Sequence, residues 1–501
     1  MTDQPAYDEP ARPQVHFSPP KGFMNDPNGL VYSNGTWHMY FQYNPNCTVA
    51  GGPQWGHATS QDLIHWQNHG LAIESENADE SIYSGSAVVD KENTSGLFDD
   101  SIGPEERIVA IYTLHSPKKQ VQCVAFSRDG GYTFASYQQN PVIDIGSKDF
   151  RDPKVFFHKP SSTWIMAVAL SHEYQILFYG SKDLLHWTEL SRFQAGLVGY
   201  QYEVPDLVEM PIEGTTATKW VLFVSINPGA PLGGSMTQYF IGEFDGEKFV
   251  PDDYIVRFAD YGKDWYASQT WSNTPGNEVI GLAWASNWQY TNEVPTYPWR
   301  GCMSVARRML LRKVRYNREY FGYSLAQFPV NIEQARNLNN AVTADRVDSS
   351  TGMKLRTKSG AAELLFYVSG VSLGNRFTDS STILIELASK SARISIGLRV
   401  FETGAHVWLN RKADAAGWHH PLYNDNLSAL VIPENMQCPV YKIHGIIDRG
   451  LTEIYVNDVV AFTNIHVLPD DEFADTVRVK LDDNLRITQA SLYELHSAWT
   501  K

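Results

Sequence analysis

Three short segments place an acid beside a proline: Met24-Asn25-Asp26-Pro27-Asn28-Gly29, Phe150-Arg151-Asp152-Pro153-Lys154 and Tyr202-Glu203-Val204-Pro205-Asp206. Taken singly, each reads as a turn, because proline presets φ and Asn-Gly tolerates positive φ. Their spacing argues for more. Asp26 and Asp152 lie roughly two lengths of an internal repeat apart, and Asp152 and Glu203 roughly one. Acids that recur at one phase of a radially repeated fold point into one channel. Converging carboxylates suit cleavage of a glycosidic bond. One must be protonated to expel the leaving oxygen, and another ionised to attack or to stabilise an oxocarbenium-like centre. Crowding pushes their pKa values apart and so assigns acid and base. This chemistry requires no metal and no cofactor. Two Asp and a Glu would also suit Ca²⁺, but no D-x-D-x-D-G loop is present.

The elements that must position these acids are strands. Short apolar or alternating runs recur, among them WHMYFQY, RIVAIYT, WIMAVAL, QILFYG, WVLFVSI and VIGLAWA, each bounded by Gly, Pro, Asn or Asp. SQDLIHW, SRDGGYTF, SKDLLHW and FDGEKF share a polar turn with Asp followed by an aromatic. They end at Trp66, Phe134, Trp187 and Phe249. Units of about 50–70 residues repeated some five times imply a β-propeller, with those four aromatics in blade packing. Residues 330–345, which open VNIEQARNLNN, read as a linker or short helix. Beyond them TILIELA, ARISIGLRV, EIYVNDVV and TVRVKL alternate as half-buried antiparallel strands do. The expectation is all-β: a catalytic five-bladed propeller over 1–329, the connection over 330–345, and a β-sandwich over 346–501.

Composition narrows the partners. With 56 acidic and 41 basic residues the net charge is −15, which disfavours nucleic acid. Aromatics reach 13% and charged residues only 19%, as in a large, well-cored chain. Such an acidic, aromatic surface suits sugars. The longest apolar stretches, such as Trp220–Ile226, are too short to span a bilayer. Cys47, Cys123, Cys302 and Cys438 form no CxxC pair and no zinc spacing. Few cysteines, and an opening (MTDQPAYDEPARPQ) without basic and apolar signal regions, predict a cytoplasmic protein. A processed, secreted chain is the alternative. Four sequons, at Asn34, Asn46, Asn93 and Asn426, are about what chance supplies.

The string HFSPPKGFMNDPNGLVYSNGTWHMYFQYNPN resembles the opening of glycoside hydrolase family 32, the invertases, inulinases, levanases and fructosyltransferases. WGHATSQDLIHW, YSGSAVVDKENTSGLF, FRDPKVFFH, GYQYEVPDL, INPGAPLGGSMTQYFIGEFDG, GKDWYASQTW and LAWASNWQY continue the likeness in order, and IIDRGLTEIYVND resembles a late D-R-x-x-x-E motif. The resemblance implies a five-bladed propeller plus sandwich and retention by double displacement. It implies Asp26 as nucleophile, Glu203 as acid/base, and Asp152 as transition-state stabiliser. A retaining pair implies Asp26 and Glu203 carboxyls about 5–5.5 Å apart. Asn25, Gln42, Trp55, Ser86, Arg151, Asp264 and Trp288 fall in segments that line the fructose pocket of relatives. Implied partners are sucrose and fructo-oligosaccharides, and a homodimer through the sandwich.

Two positions depart from the pattern. Val204 stands where most relatives have Cys, which bears on the pH profile and the balance of hydrolysis and transfer. Asp206 stands where yeast-type invertases tend to have Gly, and so would add a carboxylate on the leaving-group side. The expected activity is a β-fructofuranosidase with transfructosylating capacity. A fructosyltransferase making kestose-type products is the alternative, and a non-catalytic carbohydrate-binding propeller a remote one.

Overall fold

A computed structural model describes residues 7–499 apart from 76, 317–318, 371–379, 402–403, 413–416, 432–439 and 470; Cys438 lies outside the described residues. The chain is all-β, and its helices are single 3₁₀ turns. Seven sheets form among the described residues. Five of four or five strands fill the first two thirds. Each begins or nearly begins with a strand that faces its neighbours: β1 (Gly22–Ser33), β2 (Ser81–Val89), β3 (Phe150–His158), β4 (Tyr202–Pro211) and β5 (Tyr266–Thr270). β1 lies against β2, β2 against β3, β3 against β4, β4 against β5, and β5 against β1. The five sheets therefore close a ring. Trp299–Arg300, from the chain that threads the fifth sheet, pairs in parallel with Gly22–Phe23 of the first and fastens that closure.

The recurring Asp-aromatic turns all join the third and fourth strands of their sheets. In the first, Asp62 Oδ1 accepts from the N–H groups of Ile64 and His65 at 2.9 and 2.8 Å. Trp66 Nε1 donates to the Leu63 carbonyl at 3.2 Å. Asp183, Leu185, His186 and Trp187 repeat this arrangement at 2.8–2.9 Å. Leu63 and Leu184 both take positive φ, 67° and 64°. The Asp pays for this strained corner by satisfying two backbone donors at once.

Two six-stranded sheets complete the fold and share one apolar core, which includes Leu364, Phe366, Ile385, Ile396, Ile454 and Phe462. The connection is shorter than 330–345. Ile332–Ala335 makes one turn, and a strand already runs over Arg336–Val347, paired with Leu485–Leu495. Its polar composition misleads because this strand is solvent-facing on one side. EIYVNDVV is a hairpin, not one strand: between Leu451–Val456 and Val460–Ile465, Asn457 and Asp458 take φ of 53° and 58° and the Val459 N–H donates to the Val456 carbonyl at 3.2 Å, with positive φ at both central residues as in a primed turn.

A buried polar latch joins ring to paired sheets. Asp448 accepts from the backbone N–H groups of Gln14, Val15 and His16 and from His16 Nδ1 at 2.6–3.1 Å. The other imidazole nitrogen meets Glu453 at 3.0 Å. Glu453 also accepts from Arg307 at 2.7 Å and from the Val305 N–H at 2.8 Å. Arg307 reaches Asp260 at 3.0 Å. Beside it, Asp264 accepts from Arg411 at 2.7 Å, from the Ile465 N–H at 2.9 Å, and from Tyr290. Every charge is paired, as burial demands.

Candidate active site

All five inner strands slip register near the same end of the ring. The slips fall between Met24 and Pro27, Tyr83 and Gly85, Glu203 and Asp206, and Tyr266 and Gln269; β3 slips where Arg151 to Lys154 face Ala169 and Ala167. These are β-bulges, which leave a residue unpaired and re-aim side chains. Asp152, Val204 and Ala267 take positive φ there, at 66°, 44° and 55°. The acid-proline pattern is thus a bulge signature rather than a turn. Pro27, Pro153 and Pro205 occupy places where the ladder needs no N–H.

The bulges bring Asp26, Asp152 and Glu203 into one cleft of about 380 Å³. Asn25, Gln42, Arg151 and Trp288 line it with them, together with Tyr83, Ser84, Gln201 and Asn227. Asp26 is held from both sides. Asn25 Nδ2 donates to Oδ1 at 3.0 Å and Ser84 Oγ to Oδ2 at 2.8 Å. Burial, then the Glu203 charge, pushes its pKa up to about 6 despite those bonds. Glu203 Oε1 accepts from Arg151 Nε and Nη2 at 3.2 and 3.1 Å, and Oε2 accepts from Tyr266. Asp152 Oδ2 accepts from the Val204 N–H at 3.0 Å. Burial raises its pKa, Arg151 opposes the rise, and Glu203 and Asp26 add to it. One carboxylate is thus fixed by neutral donors, one flanked by a cation and a phenol, and one buried between them. Such a division of environments separates nucleophilic from acid/base roles.

Three expected pocket residues lie elsewhere. Trp55 is fully buried. Its ring packs where a Cβ on Gly29 would stand, 2.9 Å away, and Nε1 donates to the Tyr83 carbonyl at 3.0 Å. It backs the strand of Asp26, and the motif glycine makes room for it. Ser86 stitches β2 to β3: Oγ donates to the Pro153 carbonyl and accepts from the Val155 N–H, both at 2.9 Å. Ser84, two residues earlier, is the serine at the cleft. Asp264 is spent on the latch. Asp206 likewise adds no carboxylate to the leaving-group side. It is fully buried and bonded to Lys154 at 3.1 Å and to Thr270 N and Oγ1 at 2.6 and 2.9 Å. The slip after Glu203 sends it into the channel wall.

Tyr266 was missed, although it opens the fifth inner strand at the phase of the three acids. Carrying the repeat argument one unit further would have found it. Tyr266→Phe removes a hydroxyl that donates to Glu203 and is expected to lower kcat/KM on sucrose by about tenfold in steady-state kinetics.

Comparison with known proteins decides the lineage. The Glycosyl hydrolases family 32 N-terminal domain matches residues 16–321. The chain belongs to glycosyl hydrolase family 32. An extracellular exo-inulinase of Meyerozyma guilliermondii is 43% identical, covering 97% of this chain and 96% of its own. An invertase of Debaryomyces hansenii is 42% identical over 97% and 94%. A β-fructofuranosidase of Schwanniomyces occidentalis, solved with fructosyl-erythritol, superposes with a TM-score of 0.92 at 41% identity, covering 99% of each chain. This family 32 protein is a glycoside hydrolase.

Its relatives overturn the cytoplasmic expectation, since exo-inulinases alike along nearly the whole chain are described as extracellular. Sparse cysteines misled because a core of this size needs no disulfide support. Val204, where the resemblance implies a cysteine, is buried among Phe23, Tyr266 and Trp284.

Proposed function

We propose that this glycoside hydrolase is a retaining β-fructofuranosidase that cleaves sucrose and short β-fructans from the fructose end. The observation that carries the reading is the meeting of Asp26, Asp152 and Glu203 in one cleft, each in a different environment. The names of the relatives, invertase and exo-inulinase, support the substrate. In this reading the ring is a five-bladed propeller and the paired sheets a β-sandwich.

Asp26 Oδ attacks C2 of the fructosyl unit while Glu203 gives its proton to the glycosidic oxygen. The C2–O bond breaks, glucose leaves, and the fructosyl group is esterified to Asp26. Water then attacks C2, passes a proton to the Glu203 carboxylate, and releases fructose with retained configuration. Asp152 accepts hydrogen bonds from fructose hydroxyls as charge develops at C2. Arg151 and Tyr266 hold Glu203 in place. Asn25 and Ser84 aim Asp26. Trp288 offers a flat face to sugar carbons.

Incubation with sucrose, with released sugars followed by NMR, tests the reading. β-Fructofuranose as first product is expected; its absence, with α-fructofuranose formed first, overturns retention. In concentrated sucrose, equal glucose and fructose mark hydrolysis, and glucose in excess marks transfer. Loss of proton donation hurts poor leaving groups most. Glu203→Ala is therefore expected to lose about 10³-fold on sucrose and much less on p-nitrophenyl β-D-fructofuranoside. Equal losses on both would remove Glu203 from the acid role.

A further inference from the structure

Gln201 lines the cleft two residues before Glu203, and its amide oxygen is shared. Arg151 Nη2 donates to Gln201 Oε1 at 2.9 Å, while the same nitrogen donates to Glu203 Oε1 at 3.1 Å. From the outer side His172 Nε2 meets Gln201 Oε1 at 3.2 Å. The other imidazole nitrogen, Nδ1, meets Asp149 Oδ2 at 3.1 Å. The chemistry of the donors fixes the direction of each bond. A guanidinium only donates, so the amide presents its oxygen to Arg151 and therefore to His172 as well. An imidazole nitrogen that faces an oxygen must carry hydrogen. His172 faces one on each side, so in this arrangement it holds both hydrogens and a positive charge. Asp149 balances that charge, and its Oδ1 also stands 4.0 Å from Arg151 Nη1. A chain of contacts thus runs from Asp149 through His172, Gln201 and Arg151 to Glu203.

The fold places the outer pair. Asp149 directly precedes β3, and His172 lies in the single turn Ser171–Glu173 that follows Thr163–Leu170, the strand paired with β3. The N–H of the buried Ser171 donates to the Asp149 carbonyl at 2.8 Å, so the two side chains leave adjacent points of the backbone. Tyr200 packs edge-on against the imidazole, with ring centroids 4.9 Å apart. Its own N–H is fixed on the Pro228 carbonyl at 2.8 Å. The pair stands just outside the lining of the cleft, and no step of the proposed mechanism uses either side chain. It enters with the third sheet, whereas Gln201 enters with the fourth, so the contact spans two neighbours of the ring.

We propose that Asp149 and His172 are positioning residues for the acid/base step: through Gln201 they hold the Arg151 guanidinium on Glu203. The inference rests on the reading of Glu203 as acid/base. That carboxyl is anchored at Oε1 by Arg151 and at Oε2 by Tyr266. Without the imidazole, the Gln201 amide is free to turn, and Arg151 Nη2 loses the acceptor that aligns it beside Glu203. Proton delivery depends on heavy-atom reach and alignment, so it suffers from a loosely held carboxyl. Substrate binding, which uses other groups of the cleft, changes less.

Steady-state kinetics of the full chain on sucrose and on p-nitrophenyl β-D-fructofuranoside test this, with His172→Ala, Asp149→Asn, Gln201→Leu and the double variant His172→Ala with Gln201→Leu. His172→Ala is expected to lower kcat on sucrose by about three- to tenfold, with KM within about twofold and the activated substrate slowed by less than about twofold. Asp149→Asn keeps the shape and removes the charge, and is expected to lose in the same sense by less. In the Gln201→Leu background His172→Ala is expected to add no further loss, because groups that act through one another are not additive. The full loss in that background, equal losses on both substrates, a change in KM alone, or unchanged kinetics in folded variants would each overturn the proposal. Glu203→Ala, run beside them, separates the proposal from the reading beneath it. Unequal losses in Glu203→Ala with equal losses in His172→Ala overturn the positioning role alone. Equal losses in both remove the acid role, and the positioning role with it.

Discussion

Asp26→Ala should abolish turnover while leaving the fold intact or firmer. In the proposed mechanism Asp26 forms the covalent intermediate, and no other group in the cleft can replace it. The expected fall in kcat on sucrose is about 10⁴-fold or more, with KM changed far less. Azide, small enough for the space vacated, should restore part of the rate with a good leaving group. Stability should move the other way. Burial and the Glu203 charge raise the Asp26 pKa from 3.8 to about 6. A carboxyl whose folded pKa is raised costs stability above about 6, and that cost fades as the pH falls through 3.8. At pH 7 removing it should give back up to about 3 kcal/mol, read as a raised apparent Tm at one scan rate. In the native enzyme the same ionisation should place the acidic limb of kcat/KM near pH 6. Substantial sucrose cleavage by folded Asp26→Ala would remove the nucleophile assignment.

Arg307→Met should damage stability more than any substitution on the cleft. Its guanidinium reaches Asp260 and Glu453, both buried. Removing one partner of a buried network strands the others at about 3–5 kcal/mol. A fall in apparent Tm of roughly 3–5 °C is expected. The latch also sets a pH window. His16 is raised from 6.5 to about 9 by its bonds to Asp448 and Glu453, which outweigh burial. Its contribution is full below 6.5 and is lost as the pH rises through about 9. Glu453 is lowered from 4.5 to about 2, Arg307 and His16 outweighing burial. Its contribution is full above 4.5 and is lost as the pH falls through about 2. Thermal stability should peak between about 4.5 and 6.5. In His16→Gln the decline from 6.5 to 9 should flatten. A Tm in Arg307→Met equal to that of the parent would show that the latch contributes nothing.

The repeat was legible because the Asp-aromatic corner is a local device: Asp62 and Asp183 do the same work with the same atoms. The three acids were legible for a related reason, since a proline one or two residues after each marks a bulge. What escaped was decided by tertiary partners. Nothing in Asp264 distinguishes a sugar ligand from a partner of Arg411, because that arginine lies far along the chain. Trp55 and Ser86 sit in the right segments, but register slips beside them, between Trp55 and Gly56 and between Tyr83 and Gly85, settle which side chain reaches the cleft. The strand over Arg336–Val347 was hidden by polar residues that only its pairing with Leu485–Leu495 makes extended.

The latch also has a consequence for how the protein is made. Gln14 and Asp448, which it joins, are 434 positions apart. Ala498 and Trp499 bond back to Gln14 and Pro13. A ribosome moving at about 5–20 residues per second releases the opening segment long before its partners exist. A nascent ring must therefore wait for some tens of seconds with Arg307, Asp260 and the segment before β1 uncovered. Chains stopped between the ring and the paired sheets carry those same groups permanently, and are natural substrates for chaperones rather than small working enzymes.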